Sequence, residues 1–399
     1  MSEGRRDSIV IIYEDSLYGR KKVLAEWMGA WFTEKGYQVL YGTYRDGAFQ
    51  GVQGNAEQFR LIITMDFAGF ELLTVNQDSW LGCQTCLCDA MIYDSPILYR
   101  TKLVRQMAWN TLLDCYDGHS AEYLEKYFSH TVSNVKTCIP LVPIPDRTLP
   151  FCDRDVEVFL PAAYEPSMEI VKRLDAKDDI FRNVAEQLKD RMYQNRELSL
   201  PDALETYLDS VGFTCDKEEF ITILEMMPDV TAYVRARQIE ELMEALLDIH
   251  AHITVCGPGW SASTYSRSSY VQVLGGDMGL PFQTMQEVMG RAKFVVHPQT
   301  MLRQGIHERA LLAMVNGAVV ITERLSALEE NFVDGTEILF YSARDMKEKL
   351  RGYLRETDEE YLQRMAEYGR KKASSLSDID AYMGHILELG ELDPQLSQG

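Results

Sequence analysis

The sequence predicts an α/β protein built from two doubly wound, Rossmann-like sheets, and three observations carry that prediction. Ser8 to Tyr13 (SIVIIY) is a continuous apolar, β-branched run, and Val23, Leu24, Trp27, Met28, Trp31 and Phe32 after it fall on one helical stripe. The same alternation restarts at Ala251 to Cys256 (AHITVC) and continues through Phe294 to His297, Ala318 to Ile321 and Ile338 to Tyr341. At 399 residues the chain is long for one core and comfortable for two.

In the first unit Gly36 stops the opening helix, Tyr37 to Tyr41 is the next strand, and Leu61 to Met65 is a third that ends at Asp66. Ligands of such sheets sit beyond the carboxyl ends of the strands, which places Asp66 and the Glu14 to Gly19 loop on a rim. Cys83, Cys86 and Cys88 read C-x-x-C-x-C. Three sulfurs could ligate a metal, but no second pair supplies a fourth ligand, and small apolar residues on a buried helix are the cheaper reading. Leu112 to Tyr116 is a strand, and Asp117-Gly118-His119 leads into an amphipathic helix from Ala121 to Phe128. His119 beside Asp114 and Asp117 is a candidate general base; its alternative is a polar capping residue. The prolines of IPLVPIP, Ile139 to Pro145, forbid a central strand there, and the first domain closes at about residue 160.

From residue 161 to 247 the composition turns charged and helical, with short amphipathic stripes such as Ile170, Val171 and Leu174 or Phe220, Ile223 and Leu224. This segment reads as a connector between two α/β units, and it is also a surface on which a protein partner could dock.

The second domain, 248 to 375, opens on the Ala251 to Cys256 strand, and Gly257-Pro258-Gly259-Trp260 follows directly. Glycines at a strand exit allow close backbone approach to a ligand, although Ala262 replaces the third glycine of a full G-x-G-x-x-G. After Phe294 to His297, a polar loop with Arg303 and Gly305 enters a helix that carries Ile306, Ala310, Leu311, Ala313 and Met314 on one face. Gly317 stands where a left-handed terminator belongs. Unpaired N–H groups gather at the start of this helix, beside His307, Glu308 and Arg309, and suit a phosphate. Ser326 and Glu329 form a capping-box pattern for a second short helix. A last stripe, Ile379, Met383, Ile386 and Leu387, lies in the terminal segment 376 to 399, which ends in a frayed tail.

The pattern G-x-H-E-R-x-x-x-x-M-x-x-G-A-V-x-x-T from Gly305 to Thr322, followed by E-x-F-x-D-G-x-E-I-x-x-Y to Tyr341, resembles the C-terminal signature of CgeB-like, spore-maturation-type bacterial glycosyltransferases. The resemblance implies a GT-B fold, two Rossmann-like domains facing across a cleft with the nucleotide-sugar in the C-terminal one. It also implies a terminal helix that crosses back to the first domain. On this basis Gly305, with Arg303 or Arg309, clamps the diphosphate, His307 or Glu308 holds a phosphate oxygen or sugar hydroxyls, and Glu329 takes the ribose. Gly257, Gly259 and Trp260 join the donor side. Asp94, closing a strand that ends in Asp-x-Pro, becomes a catalytic candidate in the cleft. Arg235 and Arg237 become cleft-side cations. The two glutamates of the E-x7-E pattern found in retaining relatives are Gln304 and Leu312 here, so Glu308 is the single acid on that turn and the stereochemistry stays open. Asp153-Arg154-Asp155 imitates the metal-binding D-x-D of the other large glycosyltransferase fold, but it precedes its strand instead of ending one.

Composition narrows the classes further. Hydrophobic residues make up 46% and charged ones 25% of the chain, as in globular proteins. Lys and Arg total 40 against 61 Asp and Glu, a formal charge of −21 that repels nucleic acid and anionic lipid. No apolar run is long enough to span a membrane, and Met1 to Asp7 has no signal-peptide core behind it. Eight cysteines without a short-loop framework fit a reducing cytoplasm. No complete dinucleotide fingerprint follows either opening strand, which disfavours NAD chemistry. The expectation is therefore a cytoplasmic, metal-independent, hexosyltransferase-like enzyme. It needs no cofactor beyond a UDP-, GDP- or dTDP-sugar co-substrate and acts on a glycan, surface polymer or protein acceptor. The alternative is a GT-B-like binding or scaffold protein without turnover, and a nucleotide-sugar epimerase is a third possibility.

Overall fold

The computed structural model describes residues 8–15, 18–45, 48–50, 59–72, 79–104, 110–298 and 302–392. It divides into two units, Met1–Pro143 with Ser377–Gly399, and Ile144–Leu376. The terminal residues 393–399, expected to fray, and residues 299–301 of the loop before the signature helix lie outside the described residues.

The first unit carries β1 (Ser8–Glu14), α1 (Arg20–Glu34), β2 (Gln38–Arg45), β3 (Ala48–Gln50), β4 (Leu61–Met65), β5 (Leu87–Ile92), α2 (Arg100–Leu103), β6 (Thr111–Cys115), α3 (Gly118–Phe128) and β7 (Asn134–Thr137). Its sheet runs β3-β2-β1-β4-β5-β6-β7, parallel throughout except for the antiparallel β2–β3 pair. β4 and β6 are buried along their whole length and β1 at all but its last residue, which is why these strands read as unbroken apolar runs instead of alternating ones. Cys83 ends a single 3-10 turn (Leu81–Cys83), Cys86 follows it in the connection and Cys88 lies on β5, so the three share no α-helix; burial pushes the Cys88 thiol pKa up.

The second unit contains β8 (Val156–Pro161), α4 (Ser167–Asp175), α5 (Asp179–Gln194), α6 (Leu200–Ser210), α7 (Lys217–Glu225), α8 (Pro228–Asp248), β9 (Ile253–Cys256), β10 (Val271–Leu274), α9 (Phe282–Arg291), β11 (Ala292–His297), α10 (Glu308–Val315), β12 (Val319–Glu323), α11 (Ser326–Glu329), β13 (Leu339–Tyr341), α12 (Met346–Arg351) and α13 (Glu359–Leu376). Its six strands are all parallel in the order β10-β9-β8-β11-β12-β13.

Two expectations about the domains are corrected here. The first domain does not extend to residue 160, because β8 pairs with β9 and β11 in the middle of the second sheet. Val158, Phe159 and Leu160 are each 0% exposed, and only a central strand covers both faces of such a run. The helices of 161–247 accordingly do not link two units. They form the crossover from β8 to β9 inside the second one. After α13 the chain returns to the first unit as α14 (Ile379–Leu392), which packs on β5. Buried Ser377 fastens that return, with the Val142 N–H donating to its hydroxyl at 2.6 Å. Among the described residues no helix is long and apolar enough to cross a membrane.

Candidate functional site

Strand order in the second sheet reverses between β8 and β11, and the crevice beyond the carboxyl ends at such a reversal is where open parallel sheets take ligands. β11 ends there on His297, and the chain then leads to α10. His307 is the N-cap of that helix, its Nδ1 accepting from the Arg309 N–H at 3.1 Å. The same Nδ1 lies 2.9 Å from Oε2 of buried Glu308. The two contacts exclude each other: a neutral ring accepts from Arg309, whereas a protonated one donates to Glu308. The helix ends in a Schellman motif, with Ala318 N–H on the Ala313 carbonyl at 3.0 Å, Gly317 N–H on Met314 at 2.8 Å, and φ of 80° at Gly317, as its position required.

His297 itself is 2% exposed, and neither ring nitrogen has a hydrogen-bond partner among the described residues. Its ring meets that of His307 edge-on, 4.7 Å between centroids at 68°. Burial, then His307, Arg309 and Arg235, hold its pKa well below the usual histidine value. The Arg309 charge also reaches the buried Cys256 thiol at the end of β9. Arg235, on α8, donates to the Ala163 carbonyl just beyond β8 at 3.2 Å. One acid, two histidines and two arginines are thus drawn together from α8, β11 and α10.

A second polar group lines the ends of β12 and β13. Glu323, 4% exposed, accepts from Gln238 of α8 at 2.9 Å and stands 3.6 Å from Arg196. Burial raises its pKa while Arg196 and Arg303 pull it back. Arg196 also pairs with Glu241 at 3.1 Å, whose carboxyl is pushed up to about 7 by burial, Glu323 and Glu244. Buried Arg303 donates to the Arg196 carbonyl. The α5–α6 turn therefore reaches the sheet edge, and Glu197 in it accepts from Ser326 N–H and hydroxyl at 2.9 and 3.2 Å. That contact replaces the expected Ser326/Glu329 capping box, in which Ser326 would have been the cap; Leu325 holds that position, and its side chain makes no cap.

Several predicted donor residues are placed elsewhere. Gly257 and Gly259 adopt φ of 132° and 87°, and a β-carbon on Gly257 would stand 2.7 Å from the Ala162 carbonyl; one on Gly259 would strike that of Tyr164. Their lack of a side chain serves the close passage of the chain leaving β8. Trp260 is fully buried, stacked on Tyr164 at 4.8 Å, with its indole N–H on the Ala162 carbonyl at 2.5 Å. This turn is a lock between β8 and β9, not an open phosphate cradle. Arg237 is engaged along its own helix by Glu240 at 3.0 Å and Glu241 at 3.9 Å, leaving Arg235 as the α8 cation whose charge reaches His297. Glu329 is exposed and paired with Arg324. Gly305, two residues before the His307 cap, is buried.

In the first unit, strand order reverses between β1 and β4, and Asp66 closes β4 with φ of 49°. Its carboxylate takes the Tyr93 and Asp94 N–H groups at 2.7 and 2.8 Å and the Lys21 ammonium at 2.7 Å. Asp94 is half-buried at this rim, 3.9 Å from Lys21 and 3.4 Å from the Tyr99 hydroxyl. His119 does not gain Asp114 as an orienting acid. Asp114 turns to Tyr382 of α14, and His119 stands 3.7 Å from Glu122. The D-x-D imitation also dissolves: Arg154 is buried against three backbone carbonyls, and Asp155 pairs with Arg291. Among the described residues no three His, Cys, Asp or Glu side chains gather as a metal-holding group.

Sequence reasoning missed His297, Arg196, Gln238 and Glu323. His297 and Glu323 were visible as polar ends of apolar strands; Arg196 and Gln238 reach the rim only through the helical crossover.

Two Rossmann-like units in one chain make a GT-B type fold. Sucrose-phosphate synthase (tll1590) from Thermosynechococcus elongatus matches with a TM-score of 0.52 at 12% identity, over 98% of this chain and 99% of that one. Anabaena Alr3699/HepE, in complex with UDP and glucose, matches with a TM-score of 0.51 at 11% identity, over 95% and 98%. AviGT4, a glycosyltransferase involved in avilamycin A biosynthesis, matches with a TM-score of 0.50 at 10% identity, over 96% and 98%. Residues 235–388 match a family model described as glycosyl transferase-like. No curated protein matches the chain.

Proposed function

We propose that this protein transfers a sugar from a nucleotide-sugar to a glycan, surface polymer or protein acceptor, and that it is a CgeB-like, hexosyltransferase-type enzyme of the bacterial cytoplasm. The observation that carries the reading is the start of α10 at the reversal of the second sheet, with His307, Glu308 and Arg309 on its first turn. It lies within the segment that resembles glycosyl transferases.

Transfer builds negative charge on the leaving diphosphate and positive charge on the sugar ring. The positive end of the α10 dipole and the guanidinium of Arg309, with Arg235 behind, neutralise the first, so the reading requires no metal. His307 donates to a phosphate oxygen, and a protonated His307 leans on Glu308 through the 2.9 Å contact. Arg303 steadies the rim through the Arg196 carbonyl. The UDP and glucose bound to the Anabaena protein support a nucleotide-sugar as the co-substrate class, and the free thiols among the described cysteines accord with a reducing compartment.

The test is a thermal-shift screen of UDP-, GDP- and dTDP-sugars followed by assay of nucleotide release. A donor at 100 times its Kd contributes about 2.7 kcal/mol and raises the melting temperature. Stabilisation without turnover would favour the binding or scaffold alternative, and an isomerised sugar an epimerase. The absence of both shift and turnover with every donor removes the proposal.

A further inference from the structure

His297 has no part in the transfer chemistry above, yet it is the side chain that ends β11 at the strand-order reversal. Its backbone carbonyl is satisfied by the Thr322 hydroxyl at 2.7 Å; its ring is not, although both nitrogens are buried. A buried polar atom without a partner costs stability, and a phenyl ring would fill this place without that cost. Such an atom calls for a partner that the described residues do not supply.

The surroundings define the partner. The His307 ring packs edge-on against it and the charges of Arg309 and of Arg235 on α8 reach it, with Glu308 the one acid among them, so an oxygen-rich, anionic group is favoured there. An uncharged imidazole offers one N–H donor and one acceptor, the pair that a phosphate oxygen next to a sugar hydroxyl would satisfy.

We propose that His297 is a recognition residue for the nucleotide-sugar, its ring N–H donating to a phosphate or sugar oxygen of a donor seated at the start of α10. This rests on the donor-site reading above. The ring of His307, packed edge-on against that of His297, stands beside it at the same helix start.

The experiment uses the full chain with His297→Phe and His297→Met. Melting temperature without ligand, calorimetric affinity for UDP-, GDP- and dTDP-sugars, and the ring ¹⁵N resonances of wild-type His297 are measured. Both variants should melt at or above wild type and bind the donor about ten- to a hundredfold more weakly, the loss of a charge-assisted hydrogen bond. The His297 ring signal should shift on donor addition; that measurement needs no variant and decides the matter even if both substitutions misfold. Wild-type affinity in the variants, or an unmoved ring signal in a donor-saturated wild type, overturns the proposal alone. A wild type that binds no nucleotide-sugar overturns the donor reading and this assignment together.

Discussion

Glu308 and Arg309 show how much chemistry one helix turn can hold. The Glu308 carboxylate is 6% exposed and is kept within 2.9 Å of an imidazole that also caps the helix. Replacing it with Gln keeps the shape and removes the charge that supports a protonated His307. Glu308→Gln should lower the transfer rate about 100-fold, the ordinary weight of one proton-handling group, while leaving thermal unfolding near wild type. Steady-state rates with the donor found in the screen check this, and unchanged turnover would take Glu308 out of the site. The residues at this turn were legible in the sequence because a Gly, a His-Glu-Arg triplet and an apolar helical stripe stand together. Trp260 is held in the core instead: an indole beside glycines looks the same in sequence whether it faces a ligand or, as here, stacks on Tyr164.

Among the elements, α10 depends on its stop as much as on its start. Gly317 sits at φ of 80°, and a β-carbon there would lie 2.5 Å from the guanidinium of Arg154, which binds the Asn316 carbonyl at 3.0 Å. A left-handed alanine costs roughly 1–2 kcal/mol, and the clash adds to it. Gly317→Ala should therefore destabilise the second unit by about 1–3 kcal/mol in chemical denaturation; a neutral result would mean that the Schellman turn can relax. The strands of this unit were readable from their β-branched runs. The capping box at Ser326 was not realised because Glu197, 129 residues earlier, supplies the acid instead.

At the scale of the whole chain, the first unit is tied together by groups far apart in sequence. Asp89 of β5 and Asp114 of β6 both meet the Tyr382 hydroxyl of α14, at 3.0 and 2.5 Å. A single phenolic proton cannot serve two buried carboxylates, and burial together with Asp114 holds the Asp89 carboxyl well above its usual range. A folded-state pKa raised in this way favours folding fully below the unfolded value near 4 and ceases to do so as pH rises through the folded one. Asp89→Asn, which mimics the protonated acid, should thus match wild type at about pH 4 and exceed it by about 1–3 kcal/mol at pH 8. Thermal unfolding at both pH values reads this, and an equal or lower stability at pH 8 would refute it. Sequence periodicity by itself determined that the chain forms two parallel, doubly wound sheets and that a phosphate-suited helix follows one strand of the second, because apolar run length and helix stops are local properties. Which unit β8 enters, where the helical crossover lays Arg196, and which carboxylates share a proton were decided by tertiary structure alone, since burial on two faces and charge pairing depend on neighbours that sequence distance does not reveal.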